Sequence, residues 1–363
     1  GRRYRRQAAH RSLSSSEIPG PLPPIVNHEY TAYGLRLRTD FEIPGLNQTA
    51  GLPAWGEVCL ETRGKPAWAR QASRLPSEVI HSLPAAPECN DPAFVVRSLG
   101  EDRYFQLSYS DGTEFLVDRL GEQIWGSCPA PLTQEDLVTY LLGPVLGFVL
   151  RRKGATALHA SAVRLGDSAV VFAGPAGAGK STTAAAMALR GAAGLCEDIA
   201  VLHEENDNFF LHPGYPRVCL WPDAVEKLLA SRDALPDLTP TWDKKYLALD
   251  GVRASFELRK LQVGVIYLLA ERSEEDSAPR FEEIPGRDAL MELVSNTYMN
   301  QLLSREQRAR EFELLSRLVN QVPCKQLVPH HSASKIEALC KIIEKASQRH
   351  LVHPQASIGA RRG

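Results

Sequence analysis

The segment Gly174-Pro-Ala-Gly-Ala-Gly-Lys180-Ser181 fits the pattern G-x-x-x-x-G-K-[ST] without a gap. These residue types suit one task, wrapping backbone amides closely around a polyphosphate. Side chains must be absent where the loop meets the anion, hence Gly174, Gly177 and Gly179. Pro175, Ala176 and Ala178 complete the loop, and Thr182 carries it onward. Lys180 is long enough to reach the β- and γ-phosphates, and the Ser181 hydroxyl is a hard oxygen ligand for Mg²⁺. ATP and Mg²⁺ are therefore the expected cofactors, with the nucleotide held by residues 174–182. The bland alternative is a glycine-rich turn carrying a solvated lysine. Against it, the motif follows an apolar run, Ser168–Ala173, and opens an alanine-rich stretch, Ser181–Met187. Strand, loop and helix in that order form the context the motif needs. The helix N-terminus then adds its partial positive charge to the site.

Two further groups come near the loop by counting. Leu158–Leu165 and Ser168–Ala173 are separated by Gly166-Asp167, a two-residue hairpin signal. With the turn there, Leu165 faces Ser168, and His159 falls opposite Gly174. An imidazole then stands beside the phosphate site, although a lone strand histidine is more often just a satisfied polar group. The second group is Glu197-Asp198, just before a predicted strand at Ile199–His203. A carboxylate at the end of a neighbouring strand can handle Mg²⁺ or take the proton of a hydroxyl acceptor. Acids also collect in solvated turns. Arg217, Lys244 and Lys245 could neutralise a transferring phosphate or grip an acidic acceptor. They could equally be surface charges.

The elements that must position these groups fall into blocks. Residues 1–25 read as a disordered tail, rich in arginine and proline. Residues 26–130 read as a β-rich N-terminal domain, with strands at Thr31–Arg38, Glu57–Thr62, Phe94–Leu99, Tyr104–Tyr109 and Thr113–Asp118. Residues 131–153 form a connecting helix that Thr133 caps with Asp136 three residues on. It carries the apolar run Leu137–Leu150, 14 residues containing Gly143, Pro144 and Gly147. A membrane span needs about 18–20, so a buried helix is expected. Residues 154–348 hold the loop, a helix at Ser181–Arg190 and a strand at Val263–Ala270. Helices follow at Asp288–Met299, Ser304–Asn320 and Ser334–Gln348, with capping boxes at Ser304/Gln307 and Ser334/Glu337. Residues 349–363 are a C-terminal tail.

Bulk composition narrows the class. The 363 residues are 44% hydrophobic and 23% charged, with a net charge of −1. That balance gives a soluble globular chain and predicts neither nucleic acid nor an anionic membrane as partner. The seven cysteines are scattered with no CxxC pair, so neither a disulfide framework nor a zinc site is expected. Reduced thiols suit a cytoplasmic location. No Asn-Lys-x-Asp segment is present to read guanine.

His159, the loop and the acidic pair resemble the C-terminal catalytic domain of HPr kinase/phosphorylase. The spacing is similar too, with His159 lying 21 residues before Lys180 and Asp198 18 after it. The resemblance implies an α/β fold: a P-loop kinase domain of the HPr kinase and phosphoenolpyruvate carboxykinase type, preceded here by the small β-rich domain. It implies Asp198 as general base towards a serine hydroxyl, His159 as its partner and Lys180 as the γ-phosphate contact. Ser181 and Glu197 would be the Mg²⁺ ligands. A second resemblance spans nearly the whole chain. Tyr30–Arg38, Leu158–Val163, His212–Trp221, Asp243–Tyr246 and Phe312–Val322 look like the HPr-kinase-related proteins of bacterial peptide-modification clusters. Some of those relatives sit beside lasso-peptide genes and phosphorylate a precursor peptide on a C-terminal serine. The implied partner is thus a peptide or small protein. A homo-oligomer is also within what the parent family, which forms hexamers, suggests.

The departures point the other way. Glu197-Asp198 stands where the family usually has Asp-Asp. The Leu-Glu-Ile-Arg-Gly signature is absent, which argues against HPr as substrate and against strong phosphorylase activity. It leaves a second Mg²⁺ ligand to be found, with Asp223 a candidate. A small-metabolite kinase and a catalytically weak, nucleotide-gated peptide-binding protein remain as alternatives.

Overall fold

The computed structural model describes residues 28–46, 52–84 and 92–352. The expected tail 1–25 lies outside them, as does Cys89. The six described cysteines are free.

The first sheet collects β1 (His28–Ala32), β2 (Leu35–Thr39), β3 (Gly56–Glu61), then, after α1 (Ala67–Ala72), β4 (Ser77–Leu83), β5 (Phe94–Leu99), β6 (Tyr104–Tyr109), β7 (Glu114–Asp118) and β8 (Gln123–Ser127). Its order is β1-β2-β3-β8-β7-β6-β5-β4. The pairs β2–β3 and β3–β8 are parallel. The expected single strand Thr31–Arg38 is in fact a hairpin. Tyr33 and Gly34 both have positive φ, 57° and 74°, as a two-residue primed turn demands. A two-residue turn breaks the period of 2: the core-facing positions step from 30 and 32 to 35 and 37, and that shift of phase at Tyr33-Gly34 is the signal in the sequence. Tyr30, Ala32, Leu35 and Leu37 all face the core.

The connecting helix forms as α2 (Gln134–Tyr140), a π turn (Leu141–Val145) and α3 (Leu146–Arg152). The Thr133 N–H donates to Asp136 Oδ2 at 2.8 Å, the expected cap. Pro144 has no N–H to give to the helical ladder, and the ladder widens around it. The apolar run packs under the first sheet and touches Ala157, Ile199 and Val201 beyond it. Among the described residues, no helix is long and apolar enough to cross a membrane.

The second sheet begins with β9 (Thr156–Leu165) and β10 (Ser168–Ala173), followed by α4 (Lys180–Leu189), β11 (Ala193–Cys196), β12 (Ile199–Glu205) and β13 (Asn208–Leu211). A separate ribbon, β14 (Arg217–Leu220) and β15 (Lys245–Ala248), flanks α5 (Pro222–Leu229). The chain continues through β16 (Leu261–Leu269), β17 (Arg280–Glu282), α6 (Gly286–Ser295), α7 (Arg305–Gln321), β18 (Cys324–Val328) and α8 (Ile336–Val352). The sheet order is β10-β9-β12-β13-β16-β18-β17, with β11 on β9. β10 also pairs with β16 in parallel, so the path from β9 through β12, β13 and β16 closes on β10. The chain is thus a mixed α/β protein with two large sheets.

β10 is apolar after Ser168 because both of its faces are covered. Ala169, Val171 and Ala173 share a core with α6 and α7. Val170 and Phe172 share another with α4 and α8. Ser304 and Gln307 form the expected capping box at α7. At α8 the expected box at Ser334 is replaced: Ser332 caps a short 3₁₀ turn, Ala333–Lys335, that leads into the helix. The helix then continues to Val352, into the expected tail. The predicted helix Asp288–Met299 stops at Ser295, where the chain turns to bridge Leu158 through Thr297.

Candidate active site

The loop between β10 and α4 is held by the strands on either side of it. β9 and β10 pair Ser168 with Leu165 through to Ala173 with Ala160. The next step in that register sets His159 opposite Gly174, as the hairpin turn predicts. The three loop glycines have φ of 147°, 80° and 108°, a region that side chains disfavour. A Cβ at Gly174 would lie 3.0 Å from the Leu269 carbonyl oxygen at the end of β16. The Lys180 ammonium folds back on the loop, donating to the carbonyls of Gly174 at 2.8 Å and Pro175 at 3.0 Å. Burial lowers the Lys180 pKa, against the charges of Asp198 and Glu197.

The acidic pair sits in the turn from β11 to β12. Ile199 N–H donates to the Glu197 carbonyl at 2.7 Å, across an Asp198 with φ of 65°. This three-residue turn places two consecutive carboxylates in one cleft with different surroundings. Glu197 is buried. Its Oε1 accepts from Ser181 Oγ at 2.8 Å, and its Oε2 lies 3.5 Å from the Tyr215 hydroxyl. Burial, reinforced by the Asp198 charge, pushes its pKa up to about 7. The Asp198 side chain keeps 34% of its surface exposed, and its Oδ1 is 3.2 Å from His159 Nε2. Desolvation works to raise the Asp198 pKa. The His159 hydrogen bond and charge, with Lys244 and Lys180, outweigh it and hold the carboxyl below its ordinary value. One carboxylate is thus tied to the loop's serine, the other to the imidazole.

Tyr298 completes this wall. Its hydroxyl lies 3.4 Å from Asp198 Oδ2, and its ring meets His159 edge-on at 6.2 Å. It rests on Gly147 of α3, where a Cβ would run into the ring.

Loop, acidic pair and His159 line a single cleft of about 550 Å³. Lys244 belongs to it, with its ammonium 5.1 Å from the Trp221 ring centroid. Lys245 does not, because Asp233 at 3.2 Å and Asp237 at 2.7 Å hold it in the neighbouring pocket. Arg217 is also outside the cleft, 5.2 Å from the Tyr215 ring centroid. Asp223 reaches the cleft but is ion-paired to Arg232, which leaves it poorly placed as a second metal ligand.

Sequence reasoning passed over Arg272, Lys227, Tyr298 and the His330-His331 segment. Arg272 follows β16 and has a terminal nitrogen 3.3 Å from where a Gly179 Cβ would stand. It makes no ion pair or hydrogen bond among the described residues. The available signal was topological: a strand parallel to β10 sends its following residues to the same edge of the sheet.

The oxygens of Ser181 and Glu197 are hard donors close enough to share one cation, and they fit Mg²⁺. No group of three or more His, Cys, Asp or Glu residues forms a metal cage among the described residues. Mg²⁺ commonly takes only one or two protein ligands and completes its shell with phosphate and water.

No family model matches the chain. No curated protein matches it either. Among solved structures, the Hpr(Ser) kinase/phosphatase from Coxiella burnetii aligns with 54% of this chain and 96% of its own, at 16% identity and a TM-score of 0.27. A likeness that slight decides nothing about activity, which must be read from the side chains.

Proposed function

We propose that the chain is an ATP-dependent phosphotransferase acting on a serine hydroxyl of a peptide or small protein, with a precursor peptide of the lasso type as the most specific candidate. The observation that carries this reading is the Asp198–His159 pair, 3.2 Å apart, in the same cleft as the loop 174–181. A glycine loop by itself suits any nucleotide-binding protein. A partly exposed carboxylate held ionised beside it suits proton removal from an acceptor. On this reading residues 154–348 are a P-loop catalytic domain of the HPr kinase type, 26–130 the β-rich domain before it and 131–153 their connection.

The loop amides and the start of α4 hold the polyphosphate. Lys180 leaves its two carbonyl partners for the γ-phosphate oxygens. Ser181 and Glu197 would hold Mg²⁺, which supplies charge neutralisation between the β- and γ-phosphates. The acceptor oxygen forms its bond to the γ-phosphorus as the bond from that phosphorus to the bridging oxygen breaks, and ADP leaves. Asp198 takes the hydroxyl proton. His159 fixes the carboxylate's orientation and keeps it charged.

Transfer from labelled Mg-ATP to serine peptides tests the reading. Lys180→Ala should abolish labelling. Asp198→Asn should lower kcat by about 10²–10⁴ while nucleotide still binds. Undiminished labelling by Asp198→Asn would sink the assignment of the base. Label recovered only in a small molecule would move the acceptor to a metabolite.

A further inference from the structure

A second pocket, of about 610 Å³, opens at the beginning of the same loop and shares His159 and Ala176 with the first cleft. The two differ in charge. Lys180, Lys227, Lys244 and Arg272 all line the first. No lysine or arginine lines the second, whereas Glu271 and Glu292 do, and neither makes an ion pair among the described residues. Asn296, nine-tenths buried, also lines it. Its amide nitrogen donates to the Glu292 carbonyl at 2.8 Å. Nothing among the described residues donates to its Oδ1, which is left for a ligand.

The direction of the loop says which pocket takes which partner. The amides at the start of α4 belong to the α- and β-phosphates, so Pro175 and Ala176 lie towards the γ end. In-line transfer brings the acceptor from the side opposite the leaving group. A hydroxyl entering by the second pocket passes Pro175 and Ala176 and meets His159, with the Asp198 carboxylate 3.2 Å behind it.

We propose that this second pocket is the acceptor subsite, and that its unpaired carboxylates and the free Asn296 oxygen select a serine flanked by a cationic, hydrogen-bond-donating side chain. Acidic flanks meet Glu271 and Glu292 and are rejected. The inference rests on the phosphotransfer reading for the reaction but not for the binding.

Three peptides of equal length, each with one serine flanked by arginine, alanine or glutamate, test it. The arginine peptide should exceed the glutamate peptide about tenfold in kcat/KM, through KM. Glu271→Gln, at an exposed position, should narrow the gap, and Glu271→Gln with Glu292→Gln should close it to about twofold without moving KM for ATP. Equal use of the three peptides, or preference for glutamate, overturns the subsite while leaving the kinase intact. If no peptide is labelled, the kinase reading fails instead. Fluorescence anisotropy of the same peptides, with a non-hydrolysable ATP analogue present, then decides the subsite. Tighter binding of the arginine peptide, lost in the double variant, supports it. Equal binding of all three ends it.

Discussion

His159 is fixed from two directions. Its backbone N–H donates to the Asn296 carbonyl at 2.7 Å, and its ring reaches Asp198. A group held this way suits orientation more than proton transfer, which is why the proposed base is Asp198, one hydrogen bond further on. At the same scale, Arg272 makes a prediction of its own. Its guanidinium lies against Gly179 without a carboxylate partner, where a bound polyphosphate would supply one. Hydrogen bonds to charged groups contribute about 1.5–3 kcal/mol, so Arg272→Ala should weaken ATP-analogue binding about 10- to 100-fold by titration calorimetry. An unchanged Kd would make Arg272 a bystander. The contrast with His159 shows what a sequence can carry. A two-residue turn fixes a register, so His159 could be placed by counting. The position of Arg272 depends on β16 lying parallel to β10, a pairing across some ninety residues that no local pattern encodes.

Among the elements, the helix pair behind the site sets the position of Tyr298. Gly143 and Gly147 lie one turn apart and face Asp198 and Tyr298 respectively. From sequence they are only helix-weakening residues in an apolar run. The structure gives them a reason, because the turn carrying Tyr298 must come close to the helix. That turn lies inside the predicted helix Asp288–Met299: the Tyr298 N–H donates to the Ala157 carbonyl at 2.8 Å, and this outweighs the apolar spacing that would extend α6. Gly147→Ala drives a methyl into the Tyr298 ring and should cost about 1–3 kcal/mol in chemical denaturation, with a fall in transfer rate as Tyr298 leaves Asp198. Gly143→Ala is the control. Its methyl would sit 4.0 Å from Asp198 Oδ2, an ordinary contact, and alanine is the better helix former. If Gly147→Ala proves as stable and active as Gly143→Ala, the close approach has no role in holding the site.

The two sheets are joined at the tip of the first hairpin, a contact between segments far apart in the chain that no periodicity announces. Tyr33 donates its hydroxyl to the Leu142 carbonyl at 3.0 Å and its N–H to the Pro213 carbonyl at 2.6 Å. Trp55 Nε1 donates to the Tyr33 carbonyl at 3.1 Å, and His212 closes the other side, its Nδ1 2.5 Å from where a Gly34 Cβ would stand. His212 Nε2 is buried with no hydrogen-bond partner. Burial, then the neighbouring His203 and Lys260 charges, lower its pKa from 6.5 to about 4, with Glu205 opposing. The consequence for stability has a definite sign. The unfolded chain takes up a proton near pH 6.5 and the folded chain not until about pH 4, so acid favours unfolding between those values. The stabilisation is fully present above the unfolded value and falls away as the pH drops towards the folded one. From pH 7.5 to 5 this one residue should remove about 1–2 kcal/mol of unfolding free energy. His212→Asn should be less stable than the parent at pH 7.5, because packing is lost, yet decline less steeply with acid. Urea titrations at the two pH values, with tryptophan fluorescence as the readout, measure both effects. Equal slopes in parent and variant would mean that His212 is charged in the folded protein or solvated at the junction.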